Sequence, residues 1–187
     1  MTAMKTRKVF NTPGHVHELT FSCYRRLPLL DRDRTRAWFI EALDATCLRY
    51  NAALIAYVIM PEHAHVLLKP RPAEYRVEEL TKTFKQSVSR RALAWLRQHH
   101  PEFLPRLAGE RAAIPGGERT RYHFWQPGGG YDRNVTNPDT LFAMIDYIHD
   151  NPVRRGLVTC PTDWPWSSAR FYAGLDDVKL AMDRILL

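Results

Sequence analysis

The chain has 187 residues, 45% of them apolar, and a formal charge of +7, which are the proportions of one globular unit able to bury a real core. No stretch approaches the roughly eighteen consecutive apolar residues of a membrane-spanning helix. The segment MTAMKTRKVFNTPGHVHELTF lacks the run of about seven to fifteen apolar residues that a secretory signal requires, so a cytoplasmic protein is expected. Cys23, Cys47 and Cys160 have no spacing that suggests a zinc knuckle or redox pair and read as ordinary buried thiols. The positive charge attracts polyanions such as nucleic acid without singling one out.

In chain order, Leu19, Phe21 and Cys23 alternate within the segment from His17 to Tyr24, the period of a half-buried strand. From Arg32 to Tyr50, Ala37, Phe39, Ile40, Leu43, Cys47 and Leu48 recur at helical spacing, with Asp31 or Asp33 available as N-cap. Leu54 to Met60 and His65 to Lys69 read as two inner strands joined across Pro61 and Glu62. A second helix is expected from about Val77 to Arg97, with Val77, Leu80, Phe84, Val88, Ala92 and Trp95 as its apolar stripe.

The segment from Pro101 to Arg121 has no sustained period and reads as an irregular loop. A short aromatic strand is expected at Tyr122 to Trp125, then Pro127 and the triple glycine 128–130, then a strand end at Arg133 to Val135. Asn137 as N-cap and Pro138 at the first position open a third helix. Pro152 should end it near Asn151, with Gly156 letting the chain turn away. Strand, helix, strand, strand, helix, strand is the order of a ferredoxin-like α+β unit: an antiparallel sheet with helices packed on one face, here with an added C-terminal helix that bears a tyrosine. One domain is expected over 1–187, with a core of about 14–152, a C-terminal extension of about 153–187 and an irregular insertion of about 101–121.

His63 and His65 stand two residues apart at the start of an apolar strand, so both imidazoles point to one face. Two neutral imidazoles aimed together form half of a metal site. The same spacing also describes one histidine lying over a sheet and the other in solvent. On the third helix, Leu141, Met144, Ile145 and Ile148 make the buried stripe, and Tyr147 and Asn151 lie one turn apart at its edge. That tyrosine can keep its ring on protein and its hydroxyl in a cleft, with the Asn151 carbonyl oxygen suitable as a third metal ligand. A boundary tyrosine followed by a helix-ending asparagine is the plain structural alternative.

MPEHAHVLL at residues 60–68 resembles the metal motif of the single-tyrosine HUH transposases, whose usual form is close to M-P-N-H-x-H. FWQPGGGYDRNV, IDYIHDNPVRRGLV and DWPWSS follow in the order of the branch called REP-associated tyrosine transposases. The resemblance runs from roughly Gly14 to Arg170. It implies a ferredoxin-like fold, a metal at His63 and His65 with Asn151 as third ligand, and Tyr147 as the nucleophile. It further implies magnesium or manganese as cofactor, single-stranded DNA flanking an imperfect hairpin as substrate, and a covalent 5′-phosphotyrosine by which strands are nicked and joined. Glu62 departs from the motif where Asn is frequent, and regular alternation turns it away from the metal face, which leaves it outside the expected site. Ala64 is smaller than the usual aliphatic residue.

Arg25, Arg26, Lys82, Lys85, Arg90, Arg154 and Arg155 are candidate phosphate contacts, although each also fits a solvated surface charge. Trp164 and Trp166 either stack on unpaired bases or, the favoured reading, pack the terminal segment on the core. His149 is a candidate for positioning DNA or helping a proton leave. Two other functions fit these residues: a non-cleaving protein that binds DNA or RNA hairpins, and a metal-dependent hydrolase, which would lack the third strong ligand of catalytic zinc. Action as a monomer and as a homodimer are both compatible with the sequence.

Overall fold

The structure is a computed structural model that describes residues 11–114, 117–128, 130–180 and 182–183. Parts of the expected domain 1–187, two residues of the insertion and Gly129 lie outside them. Four strands, β1 (Val16–Ser22), β2 (Ala52–Ile59), β3 (His63–Pro70) and β6 (Tyr131–Val135), form an antiparallel sheet in the order β2-β3-β1-β6. Helices α1 (Asp33–Arg49) and α2 (Val77–His99) cover one face. There Leu19, Phe21, Ala64, Val66 and Leu68 meet Phe39, Leu43, Phe84 and Val88. This is the expected ferredoxin-like arrangement, and the added helix α3 (Pro138–Arg154) packs on the opposite face through Leu141, Ile145 and Ile148 against Val58, Met60 and Leu67.

With both faces covered, β2 and β3 are apolar almost throughout, as doubly buried strands must be. A bulge between Leu54 and Ala56 turns Ile55 and Ala56 to the α3 face together, because a bulge inserts one residue out of alternation. The outer edge of β2 is covered by the C-terminal tail. Ile59 N–H donates to Trp166 O (2.8 Å) and Ser168 N–H to Tyr57 O (2.9 Å). Trp164 Nε1–H donates to Ile59 O (3.1 Å), and the Arg36 guanidinium lies over the Trp164 ring, 5.0 Å from its centre. Both tryptophans therefore pack the tail, as favoured. No helix among the described residues is long and apolar enough to cross a membrane.

Several local expectations are corrected. The cap of α1 is neither Asp31 nor Asp33: Arg32 occupies that position, Thr35 Oγ1 donates to its carbonyl, and both aspartates pair with Arg36. The described part of the 101–121 insertion is not an irregular loop. It forms a 3-10 segment (Pro101–Leu107) and a hairpin of β4 (Ala108–Ile114) with β5 (Gly117–Tyr122). Leu104 and Leu107 anchor it on Tyr24 and Leu93, a tertiary contact without local period. The aromatic segment 122–125 does not form a strand of its own: Tyr122 ends β5, and Trp125 makes only an isolated bridge to Cys23. Phe124 and Trp125 turn into the core between β1 and α2, and Trp125 Nε1–H donates to Lys85 O. Cys23 is buried as expected, but Cys47 is half-buried and Cys160 is exposed.

Asn137 caps α3 as the sequence suggests, its Oδ1 accepting from the N–H groups of Asp139 (2.8 Å) and Thr140 (3.3 Å). The helix does not stop at Asn151. It runs through Pro152 to Arg154, since a proline near the last turn removes only one bond. Gly156 sets the end with φ 67°, its N–H donating to Val153 O and that of Leu157 to Pro152 O, the paired closure that a left-handed residue permits. Replacing Asn137 by Ala should lower stability by about 1 kcal/mol, read as a reduced urea midpoint with unchanged slope, and Asn137→Asp should retain most of it.

Candidate active site

The turn at Pro61 and Glu62 is closed by Met60 N–H donating to His63 O (2.8 Å), and β3 alternation starts there. His63 and His65 consequently share the α3 face with Leu67. Each is 7% exposed, and their rings lie 5.0 Å apart at 88°. His65 is paired across the sheet with Val58 and Thr20. Its Nδ1 is 2.9 Å from Thr20 Oγ1, and when that nitrogen donates, the Nε2 lone pair is left for a cation. The buried Glu18 carboxylate is 4.0 Å from the same Nδ1.

Glu62, expected to turn away from the histidine face, lies beside His63. It precedes the strand, so alternation does not govern its direction. Its Oε1 stands 3.2 Å from His63 Nδ1 and 3.0 Å from an Arg155 guanidinium nitrogen. The His63 contact lacks hydrogen-bond geometry, which leaves this buried nitrogen unsatisfied. Thr20 and Glu18 were also outside the expected site. The two-residue period of β1 places both opposite Leu19 and Phe21, but their link to His65 requires the β1-β3 register.

Burial sets the charge state of both imidazoles. It pushes His63 below the usual range against the opposing pull of Glu62, with Arg26 and Arg155 adding to the depression. His65 is pushed down to about 4, chiefly by burial and further by His63. Both are neutral at pH 7, the form a metal requires.

From the other side, α3 brings Tyr147 to the histidines. Its ring lies 5.8 Å from that of His65 at 82°, and it is 39% exposed. The Arg154 guanidinium sits 5.0 Å from the phenol ring centre. One turn on, the buried Asn151 donates through Nδ2 to Tyr147 O (2.9 Å), which orients the amide and leaves Oδ1 to offer a cation. Among the described residues no group of three His, Cys, Asp or Glu could hold a metal. Two neutral imidazoles and an amide oxygen are nonetheless donor types that suit a divalent ion.

The candidate phosphate contacts are dispersed. Arg25 and Arg26 form a tight turn after β1 with φ 53° and 56°, and the charge of Arg26 reaches His63. Arg154 and Arg155 end the tyrosine helix. Lys85 and Arg90 instead line a groove between α2 and residues 122–127, together with Arg97, Tyr122 and His123. Lys85 Nζ is held there by Gly128 O at 2.8 Å. Lys82 is exposed on α2 one turn before Lys85. His149 does not face the cleft: it is 8% exposed, and its Nε2 meets Ser168 Oγ at 2.8 Å, tying α3 to the tail.

An antiparallel ferredoxin-like sheet with paired histidines on one strand, crossed by a separate helix carrying a tyrosine, is the architecture of a tyrosine transposase. Residues 11–112, more than half the chain, match the family described as transposase IS200-like, and the chain belongs to that family. Over 149 residues it is 26% identical to a Haemophilus influenzae protein provisionally named a REP-associated tyrosine transposase, covering 73% of this chain and 74% of that one. The solved structure of a REP-associated tyrosine transposase bound to a REP hairpin superposes with a TM-score of 0.69. It covers 96% of this chain and 93% of that one at 19% identity. A transposase-named protein of Deinococcus radiodurans R1 matches more loosely, with a TM-score of 0.46 and 18% identity over 78% of this chain and 97% of that one.

Buried neutral histidines make stability depend on pH. His149, like His65, is lowered to about 4 by burial, against the raising effect of Asp146 and Asp150. An unfolded histidine titrates near 6.5, so between these values the unfolded chain binds the proton more readily. Stability present above pH 6.5 is therefore lost as the pH falls toward 4, by roughly 3 kcal/mol for His149 alone. Urea midpoints measured from pH 7.5 to 4.5 should fall steeply, and less steeply for His149→Gln.

Proposed function

We propose that this chain is a metal-dependent single-stranded DNA endonuclease and strand transferase that acts beside hairpin repeats through a 5′-phosphotyrosine on Tyr147. The observation that carries the reading is the Tyr147 ring against His65, itself in ring contact with His63. His63, His65 and the Asn151 amide oxygen hold magnesium or manganese. That ion, when bound, neutralises non-bridging phosphate oxygens and makes phosphorus more electrophilic.

A phenol is mostly protonated at neutral pH and needs help to attack. Tyr147 opens to water, which takes its proton as the new bond forms, and the Arg154 guanidinium lies 5.0 Å from its ring centre. Tyr147 Oη bonds to phosphorus while the bond to the 3′ oxygen breaks and that oxygen leaves as a hydroxyl. Attack by the 3′-OH of a second strand then forms a new phosphodiester and releases Tyr147. Each step exchanges one phosphoester for another, so no nucleotide is consumed.

Arg25, Arg26 and Arg155 contact the strand near the site, and Lys82, Lys85 and Arg90 contact it on the α2 side. The hairpin preference is supported by the solved relative bound to a REP hairpin. One chain carries both histidines, the amide and the phenol, which supports chemistry within a monomer, with any pairing serving synapsis rather than chemistry. The elements from β1 to the tail work as one domain, with a core of about 14–152, and a DNA substrate places the protein in the cytoplasm.

Incubation with labelled single strands carrying a hairpin, in manganese, should give a protein-DNA adduct that chelator removes. Tyr147→Phe should abolish the adduct and leave hairpin binding within about twofold, because the lost hydroxyl is exposed rather than part of the core. Persistence of the adduct in that variant would shift the nucleophile to Tyr131, which pairs with Thr20 across β1. A shifted band with no adduct under any condition would instead identify a hairpin-binding protein.

A further inference from the structure

We infer that Glu62 is a positioning residue for His63, and that Arg155 makes this support depend on how the tyrosine helix is seated. The inference rests on the metal site proposed above. Among buried side-chain nitrogen and oxygen atoms of the described residues, only His63 Nδ1 and Arg36 Nε lack a hydrogen-bond partner. A buried donor left without an acceptor is costly. The nearby acceptor is Glu62 Oε1 at 3.2 Å, so a small rotation of the carboxylate or ring completes the bond.

Once His63 Nε2 bears a cation, Nδ1 carries the proton and needs that acceptor. A carboxylate behind a ligating imidazole fixes its tautomer and orientation and raises its basicity. Glu62 is held for this task from the other side of the cleft. The same Oε1 is 3.0 Å from Arg155, while the Glu62 side chain is only 12% exposed and that of Arg155 is 55% exposed. Arg155 is the C-cap of α3, and its N–H donates to Asn151 O at 3.1 Å. Ligand orientation on β3 and the position of Asn151 and Tyr147 on α3 are thereby joined through one carboxylate oxygen. If α3 shifts, His63 loses its support.

The test is calorimetric titration of the full-length protein with manganese. His63→Ala should abolish binding. Glu62→Gln should weaken it about 10–100-fold, Arg155→Ala should weaken it less, and the double variant should bind no more weakly than Glu62→Gln alone. Circular dichroism melts should remain close to the parent's, since a half-exposed ion pair contributes little to stability and a merely structural role would not lower metal affinity selectively. If His63→Ala abolishes binding while Glu62→Gln binds within twofold of the parent, the positioning role is wrong and the metal site stands. If His63→Ala binds manganese normally, both fail. Additive losses in the double variant would overturn the coupling through Arg155.

Discussion

Everything at this site depends on α3 lying across the histidine-bearing face of the sheet. The contact is apolar: Leu141, Ile145 and Ile148 against Val58, Met60 and Leu67. A buried aliphatic side chain of this size contributes roughly 1.5–3 kcal/mol, so the interface is strong enough to fix the helix. Rotation matters as much as attachment. Successive helical residues differ by about 100°, and seating α3 one residue out of register would carry Tyr147 away from His65. Function here follows from the direction of an apolar stripe, with the tyrosine placed at its edge.

The same packing provides the chemistry of the histidines. An exposed histidine would be partly protonated just below neutrality and would repel a cation. Burial under α3 holds His63 and His65 neutral, so cation binding need not first displace protons. Thr20 Oγ1 lies 2.9 Å from His65 Nδ1 and the Glu62 carboxylate 3.2 Å from His63 Nδ1. Tyr147 is left more exposed than either histidine, which suits the role proposed for it.

Much of this was legible in the sequence because it depends on local period. The spacing of His63 and His65 put them on one face, the stripe of α3 put Tyr147 and Asn151 at its edge, and Asn137 and Pro138 marked where that helix starts. What was not legible depends on contacts between distant segments. Thr20 meets His65 only through strand register. Glu62 was misread because an alternation valid inside β3 was extended into the turn before it. The end of α3 was placed too early because Pro152 is a local signal, whereas the closure at Gly156 depends on three further residues. The hairpin at 108–122 escaped because its anchors, Leu104 and Leu107, find partners on α2 and the segment after β1 rather than along their own chain.

The DWPWSS segment shows how a tail can be part of a site it never touches. The outer edge of β2 would otherwise present unpaired backbone groups, which invite association with other chains. Residues 166 and 168 pair with that edge, and Trp164 and Trp166 are pinned beneath Arg36, whose own charge is balanced by Asp31 and Asp33. From this covered edge, Ser168 Oγ accepts from Tyr57 N–H and meets His149 of α3, while the Tyr172 hydroxyl donates to Ile55 O. One hydroxyl thus links the edge strand, the tail and the tyrosine helix two residues from Tyr147. Edge protection and seating of α3 use the same few atoms, and that economy gives a physical reason for a rigid Trp-Pro-Trp-Ser-Ser sequence to follow the tyrosine-bearing helix so closely.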